Sequence, residues 1–99
     1  MLHIRFEWDE AKNISNQSKH GLSFGQAAQV FHDPFAVTRR DLLENGELRW
    51  QTFGIVDGQL LLMVAHTLHE ELPSIEVIRI ISARRATRKE RRFYENENG

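Results

Sequence analysis

The spacing of hydrophobic positions changes part-way along this chain, from a helical period in the first third to a strand period beyond it. Four apolar residues before position 34 follow the spacing i, i+3, i+4, i+7 and would share one face of a helix. These residues are Phe24, Ala27, Ala28 and Phe31. From position 35 onward, apolar residues alternate with polar ones or form short runs, which indicates half-buried or fully buried strands. The change predicts an α+β domain.

Capping signals mark the ends of two helices in the first third of the chain. Asp9 can cap the first helix, and Gly21 follows where that helix would stop. A capping box formed by Ser23 and Gln26 opens the second helix. The Asp-Pro pair at residues 33–34 ends it, because the residue before a proline disfavours the helical conformation.

Five segments have the period or composition of strands, and turn signals separate the last four. The predicted strands are residues 2–7, 35–41, 47–56, 60–67 and 75–82. Asn45-Gly46 and Asp57-Gly58 are typical hairpin turns. The last four segments therefore form a predicted antiparallel meander. We expect a two-layer α+β domain with an antiparallel sheet of about four strands, two N-terminal helices and one C-terminal helix.

The C-terminal helix is predicted from a second capping box, formed by Thr87 and Glu90. It should span about eight residues, with Glu90, Phe93 and Tyr94 on its inner side. Residues 95–99 are expected to form a frayed tail. Residues 1–99 are long enough for one modest hydrophobic core, so a single domain is expected.

Basic residues concentrate in the C-terminal quarter. Residues 79–92 contain seven of the thirteen lysines and arginines and one acid, so they carry +6 and the rest of the chain −7. Clustered guanidinium groups suit phosphate, which predicts a protein that handles nucleic acid, with RNA favoured. A solvated helix face, or a dock for an acidic partner, is the alternative. Arg79 lies inside an apolar strand, where a charged side chain requires either a salt-bridge partner or a functional role.

Several classes of site are excluded or disfavoured. The chain has no cysteine, which excludes disulfides, thiolate zinc sites and cysteine nucleophiles. It has neither a signal peptide nor an apolar run long enough to cross a bilayer, so we expect a cytoplasmic protein with no membrane partner. His66 and His69 could be zinc ligands, but their spacing matches no zinc motif. We therefore predict no metal and no cofactor.

The residue types that are available suit RNA cleavage. RNA carries its own nucleophile, the 2′-hydroxyl. A protein need only deprotonate it, hold the phosphate in line and protonate the leaving 5′-oxygen, each positioned acid or base giving about 10²–10⁴-fold. Preorganised cations stabilise the charge that develops on the phosphorus. Arginine, lysine, histidine, glutamate and tyrosine are sufficient for this reaction.

Both ends of the chain carry residues that resemble one bacterial family. At the start they are Phe6-Glu7-Trp8-Asp9, Lys12, Asn16, Lys19-His20-Gly21 and Ser23-Phe24. Further along they are Val30-Phe31, Asp33-Pro34, Gly46-Glu47, Arg49, Gly54 and His66-Thr67. The most specific part is Arg79-Ile80-Ile81-Ser82-Ala83-Arg84 with Ala86-Thr87, Glu90-Arg91 and Tyr94. Together they resemble the BrnT family, ribonuclease toxins of type II toxin–antitoxin systems, over nearly the whole chain.

The resemblance implies a RelE-like fold and metal-independent RNA cleavage that stops translation. It also implies neutralisation by a BrnA-like antitoxin with a ribbon-helix-helix region, and contact with operator DNA only through that complex. One position departs from the family pattern. Many relatives carry an arginine shortly after the His-Thr pair, where this chain has His69. Either His69 takes over a phosphate or proton role, or activity is reduced.

Our hypothesis for the site combines the resemblance with the chemistry. The predicted catalytic residues are Lys19, His20, Glu47, His69, Arg79, Arg84 and Tyr94. Arg79 and Arg84 would bind the scissile phosphate, and Tyr94 would stack on a base or orient a group. Lys19 or His20 would supply a second positive or proton-transfer group, and either Glu47 or His69 the base. Residues expected to track RNA phosphates or meet acids of the antitoxin are Arg85, Arg88, Lys89, Arg91 and Arg92.

Simpler structural roles and other functions stay open. Glu90 can be only a helix cap, and Lys19 can answer only a helix dipole. One alternative function is a non-catalytic module that binds an acidic partner or operator DNA through its basic helix. Another is an inactive relative that binds the antitoxin as a corepressor.

Overall fold

Three helices and a five-stranded mixed sheet form the fold of residues 3–99, which a computed structural model describes. The strands are β1 His3–Glu7, β2 Val37–Glu44, β3 Glu47–Val56, β4 Leu60–Leu72 and β5 Ile75–Arg85. The helices are α1 Glu10–His20, α2 Phe24–Ala28 and α3 Arg88–Asn98, and α2 continues into a 3-10 helix, Gln29–His32. The α+β class is confirmed. Leu2, where the first predicted strand begins, lies outside the described residues.

The sheet has one strand more than predicted, and that strand is parallel. The order is β1-β5-β4-β3-β2, in which β2 to β5 form the expected antiparallel meander. β1 pairs in parallel with β5, in a register that matches His3 with Ile75. The prediction of about four antiparallel strands is therefore wrong at this edge. Local periodicity identifies a strand but carries no information about a partner at the other end of the chain.

α1 and α2 cover one face of the sheet, which we refer to as the helix face. Phe24 and Val30 pack there against Val64 and Ile80, and all four side chains are fully buried or nearly so. Gly54 of β3 lets the 3-10 helix approach closely, because a Cβ at this position would lie 2.7 Å from the Val30 carbonyl oxygen. The main hydrophobic core lies between these helices and the sheet.

α1 docks through buried asparagines, which explains why its apolar stripe is so thin. Asn13 Oδ1 accepts a hydrogen bond from the Phe24 amide, at 2.8 Å. Asn16 Nδ2 donates to the Leu22 carbonyl, and its Oδ1 accepts from the Ala83 amide of β5. Two of these bonds satisfy backbone groups at the junction of α1 and α2, and the third satisfies an amide of β5 beyond the last pair with β1, at Arg79.

α3 covers one end of the opposite face of the sheet. Tyr94 packs with Phe53, Leu61 and Met63 in a second, smaller core cluster. The helix runs through Asn98, so it is longer than predicted and includes most of the expected frayed tail. Asn98 Nδ2 donates to the carbonyls of Phe35 and Tyr94, both at 2.9 Å, which ties the last turn to the preceding structure. Among residues 3–99, no helix combines the length and the apolar character needed to cross a bilayer.

Candidate active site

A bulge in β5 brings Arg79 and Arg84 to the same face of the sheet. Arg79 is opposite Thr67 on β4, and Arg84 is opposite Met63. The two arginines are five residues apart, whereas their partners are four apart, because Ile81 is an extra residue at the register shift. In a regular strand without a bulge, residues five apart point to opposite faces. Their Cα atoms are separated by roughly 13 Å along the strand.

One residue from each of β4, β3 and β2 forms a row that crosses the sheet at a level between the two arginines. Ala65 of β4 is opposite Gln51 of β3, which is in turn opposite Arg39 of β2. Residues directly opposite one another share a face, so all three lie on the side that carries Arg79 and Arg84. Gln51 Oε1 accepts a hydrogen bond from Arg39 Nε at 2.9 Å. We refer to this surface, with Arg39, Gln51, Arg79 and Arg84, as the arginine face.

Glu90 of α3 holds Arg84 in a bidentate ion pair. Arg84 Nη1 and Nη2 donate to its two carboxylate oxygens at 2.8 and 3.0 Å, and the Thr87 amide donates to Oε1 at 2.9 Å. Hydrogen bonds from Arg84 lower the pKa of Glu90 from 4.5 to about 2, although burial opposes that shift. The same hydrogen bonds raise the pKa of Arg84. Glu90 is therefore both the predicted cap and a clamp.

Arg79 is held much more loosely than Arg84. Its Nη1 lies 3.4 Å from Glu7 Oε1, and both side chains are about two-fifths exposed, at 44% and 37%. An ion pair with this exposure contributes about 0–1 kcal/mol. Arg79 is therefore available to an incoming anion at little cost.

Two of the predicted proton-transfer residues lie on the arginine face. His69 is exposed and opposite Val77, which makes it a diagonal neighbour of Arg79, within about 8 Å. By alternation along β3, Glu47 shares the face of Gln51, but it lies at the hairpin beyond the last β3–β4 pair. His69 is thus close to the arginines and Glu47 is at the rim.

Lys19 and His20 lie at the C-terminal end of α1, next to the middle of β5. They line a cavity of about 190 Å³ together with Ile81 and Ser82, where the end of α1 meets the bulge in β5. Of the residues that the structure describes, neither Arg79 nor Arg84 lines this cavity. The hypothesis that Lys19 or His20 joins the arginines around one phosphate stays a prediction, since this cavity adjoins β5 between Arg79 and Arg84.

Tyr94 is buried and hydrogen-bonded, which disfavours stacking on a base and leaves the orienting role a prediction. It is 7% exposed, and its hydroxyl donates to Asp33 Oδ2 at 2.6 Å. Burial, together with the Asp33 carboxylate, raises the pKa of Tyr94 to about 12. Burial alone would raise the pKa of Asp33, but hydrogen bonds from Tyr94 and from the amides of Ile55 and Phe35 lower it. The pair ties α3 to β3 and the second helix.

His66 lies within β4, which continues through Leu72, and its side chain belongs to the core. It is 1% exposed, and burial lowers its pKa. Its Nδ1 faces the Thr67 carbonyl at 3.2 Å, so Nδ1 is the protonated nitrogen. Nε2 then accepts from Thr52 Oγ1 at 2.7 Å. His66 and His69 point to opposite faces of β4, so they cannot share a zinc ion.

The predicted RNA-contacting residues do not all lie together. Lys89 and Arg92 line a cavity of about 600 Å³ with Arg39. Other exposed cations lie outside this cavity, namely Arg85 at the end of β5 and Arg88 and Arg91 on α3. The sequence analysis did not identify Arg39 and Gln51, because both lie outside the C-terminal charge cluster. The available signal was their two-residue spacing from Val37 and Phe53, which places all four on one face.

Comparison with known proteins assigns the family. A family model described as the ribonuclease toxin BrnT, of type II toxin–antitoxin systems, matches residues 8–90. The chain belongs to the BrnT family. Its fold is similar to the 1.1 Å crystal structure of the Brucella abortus ribonuclease toxin BrnT. That match has a TM-score of 0.60 and 23% identity, and it covers 87% of this chain and 100% of the other. Comparison with curated protein sequences gives no match.

The BrnT match includes the central part of the arginine face. Arg79, Arg84 and Glu90 lie within the matched residues, whereas α3 beyond Glu90 lies outside them. Among residues 3–99, the structure has no group of three or more His, Cys, Asp or Glu side chains that could hold a metal ion.

Proposed function

We propose that this BrnT-family chain is an endoribonuclease toxin that cleaves RNA by attack of the 2′-hydroxyl, without a metal ion, and so inhibits translation. The observation that carries the proposal is the β5 bulge, because it gives Arg79 and Arg84 a common face with His69 beside Arg79. Two always-charged groups and one titratable imidazole are the elements that phosphoryl transfer to an internal hydroxyl requires.

His69 and Arg79 form the proposed reacting centre. His69 removes the 2′-hydroxyl proton as the O2′–P bond forms, and the P–O5′ bond breaks to leave a 2′,3′-cyclic phosphate. The 5′-oxygen takes a proton from an acid, for which Glu47 and water are the candidates on this side of the sheet. Arg79 binds the non-bridging phosphate oxygens after exchanging its weak contact with Glu7.

Arg84 is proposed as a preorganised cation next to this centre. Glu90 takes two of its five donors and fixes the plane of the guanidinium. The Arg85 carbonyl accepts from a third at 3.2 Å, and the two donors that remain serve the RNA backbone without a reorganisation cost. Tyr94 supports α3 and takes no part in the reaction. Lys19 or His20 would supply a second positive or proton-transfer group from the cavity that they line beside β5.

The proposed partner is a BrnA-like antitoxin with a ribbon-helix-helix region. Membership of a type II toxin–antitoxin family supports an antitoxin partner. Operator DNA would be contacted through that complex only, and the site of action would be the cytoplasm.

Arg79→Ala tests the proposal, with Arg40→Ala as its matched control. Arg40 is exposed, lies on the opposite face of β2 from Arg39 and stacks on Trp50. Each variant is expressed from a tight inducible promoter while growth and RNA integrity are followed. We expect arrest and RNA breakdown from the parent chain and from Arg40→Ala, and neither from a folded Arg79→Ala.

The mechanism has its own test with purified protein. Replacing the ribose at the cleavage position by 2′-deoxyribose should abolish cleavage, and adding a chelator should leave the rate unchanged. Cleavage at the deoxy position would overturn 2′-hydroxyl attack. A rate that is lost with the chelator and restored by a divalent ion would overturn metal independence.

A non-catalytic corepressor is the second candidate. It is favoured by the pairing of both strand arginines with acids, Arg79 with Glu7 and Arg84 with Glu90. His69, in place of the arginine of many relatives, favours it too. Normal growth and intact RNA, from a folded protein that still binds the antitoxin and represses, would establish this alternative.

A further inference from the structure

A basic groove lies between β2 and α3, next to the arginine face. Its volume is about 600 Å³. The lining side chains that matter here are Arg39, Lys89, Glu90, Arg92, Phe93 and Asn96. Three of these are cations and one is an acid. The acid is already committed to Arg84, so the groove keeps a positive field.

Arg39 is fixed in the wall of this groove. Its guanidinium carbon lies 4.9 Å from the ring centre of Phe53 and 4.7 Å from that of Phe93. Nε donates to Gln51, whereas Nη2 is 3.9 Å from Glu90 Oε2, too far for a hydrogen bond. The side chain is 41% exposed. Two rings and one amide therefore hold the group while its terminal nitrogens can bind a ligand.

α3 supplies the opposite wall from a single helix face. Lys89, Arg92, Phe93 and Asn96 follow the spacing of residues that share a face. Lys89 and Arg92 are exposed. Cations spaced by about one turn on a fixed helix present donors at two successive positions along the groove.

We propose that this groove binds the phosphates of single-stranded RNA that flank the scissile position. The inference rests on the proposed function, which it deepens by assigning a subsite. Two contacts make the groove continuous with the arginine face: Gln51 binds Arg39, and Glu90 both lines the groove and clamps Arg84. An RNA strand that crosses the arginine face toward α3 therefore reaches the groove at Arg39, which belongs to both surfaces. This continuity favours RNA over an acidic peptide.

Binding of a short 2′-O-methyl RNA of mixed sequence tests the subsite, because its blocked 2′-oxygen prevents cleavage. The variant is the double substitution Lys89→Gln and Arg92→Gln, whose positions are exposed and leave the ring contacts of Arg39 intact. Arg40→Gln is the matched control, an exposed arginine next to Arg39 on the opposite face of β2. Affinity is measured by fluorescence anisotropy over a range of salt concentrations, and folding by circular dichroism.

We expect the double variant to bind on the order of tenfold more weakly, with the slope of log K against log salt reduced by about 1.4. Arg40→Gln should bind like the parent chain. Cleavage of unmodified RNA by the double variant should show a raised KM at an unchanged kcat. The reason is that the lost contacts bind the substrate and the transition state equally.

The subsite and the proposed function can fail separately. If the double variant binds with parental affinity and slope while the parent chain cleaves RNA, the subsite is overturned and the function stands. If the parent chain cleaves no RNA but the groove substitutions still weaken 2′-O-methyl RNA binding, the function is overturned and the subsite stands. If poly-glutamate binds the parent chain and RNA does not displace it, the groove serves an acidic protein partner and the subsite is overturned.

Discussion

Glu90 shows how one carboxylate can serve a helix and a functional arginine together. Its pKa is about 2 in the folded chain against an ordinary 4.5, mainly because Arg84 donates two hydrogen bonds to it. Folding thus favours the charged form. Its contribution to stability is complete above about pH 4.5 and is lost as the pH falls toward about 2.

Replacing Glu90 by glutamine should remove most of this acid sensitivity. The amide oxygen can still accept from Thr87 and Arg84, so the cap survives while the charge is lost. We expect a loss on the order of 2 kcal/mol of unfolding free energy at neutral pH and a flatter decline below about pH 4.5. Urea denaturation at several pH values measures both. Glu95→Gln, exposed on the same helix, is the control. Parallel declines for Glu90→Gln and the parent chain would contradict the assignment.

Tyr94→Phe removes only the hydroxyl group and tests whether that group has a structural or a catalytic role. The substitution removes the donor at 2.6 Å from Asp33 and leaves the partly buried carboxylate with only its amide donors. The expected cost is about 1–3 kcal/mol of unfolding free energy. Per folded molecule, RNA cleavage should be unchanged. If stability is unchanged and cleavage is lost, Tyr94 belongs in the reacting centre after all.

At the scale of elements, the sequence correctly predicts helix caps and hairpin turns, because these depend on residues that are close together in the chain. The capping boxes at Ser23 and Thr87 form as expected, with both reciprocal hydrogen bonds present in each. The hairpin turns are equally local, and Asn45 and Asp57 adopt the positive φ that such turns require. The pairing of β1 and the bulge at Ile81 depend on contacts between distant parts of the chain. No local pattern encodes them.

Gly54 tests how closely the 3-10 helix packs on β3. A Cβ at Gly54 would lie 2.7 Å from the Val30 carbonyl oxygen and 2.8 Å from its Cγ1, distances that require the backbone to move. Gly54→Ala should therefore lower the unfolding free energy by about 1–3 kcal/mol. Gly25→Ala is the control, since its Cβ would meet only Ser23 Oγ at 3.7 Å within a helix. It should be neutral or stabilise by up to about 1 kcal/mol. Equal effects of the two substitutions in thermal unfolding would contradict this packing.

At the scale of the whole molecule, the fold rearranges the charge cluster that the sequence revealed. The basic segment is divided between the arginine face, the groove and the outer side of α3, and Glu7 and Glu90 neutralise part of it. Charge along the chain therefore predicts that a cationic surface exists, but not which cations share it. Lys19 lies in a cavity that neither strand arginine lines, and β2 brings in Arg39 from outside the cluster.

The whole molecule is also expected to lose stability in mild acid, through His66. Its contacts are the Thr52 hydroxyl, the Thr67 carbonyl and the Phe31 ring, none of which is negatively charged. Burial lowers its pKa below 6.5, so the unfolded chain binds a proton that the folded chain resists. The stability that comes from neutral His66 is complete above about pH 6.5 and declines as the pH falls through the window below it.

His66→Gln should abolish that decline without affecting the loss of stability at lower pH that protonation of Glu90 causes. We expect the parent chain to show a falling midpoint of thermal unfolding from about pH 7 to about pH 5, and the variant a lower but level midpoint. His32→Gln, at an exposed histidine, should follow the parent chain. A variant whose midpoint still falls in this range would mean that other groups are responsible. Because the unfolded chain gains the proton, the effect belongs to the global transition and to no single element.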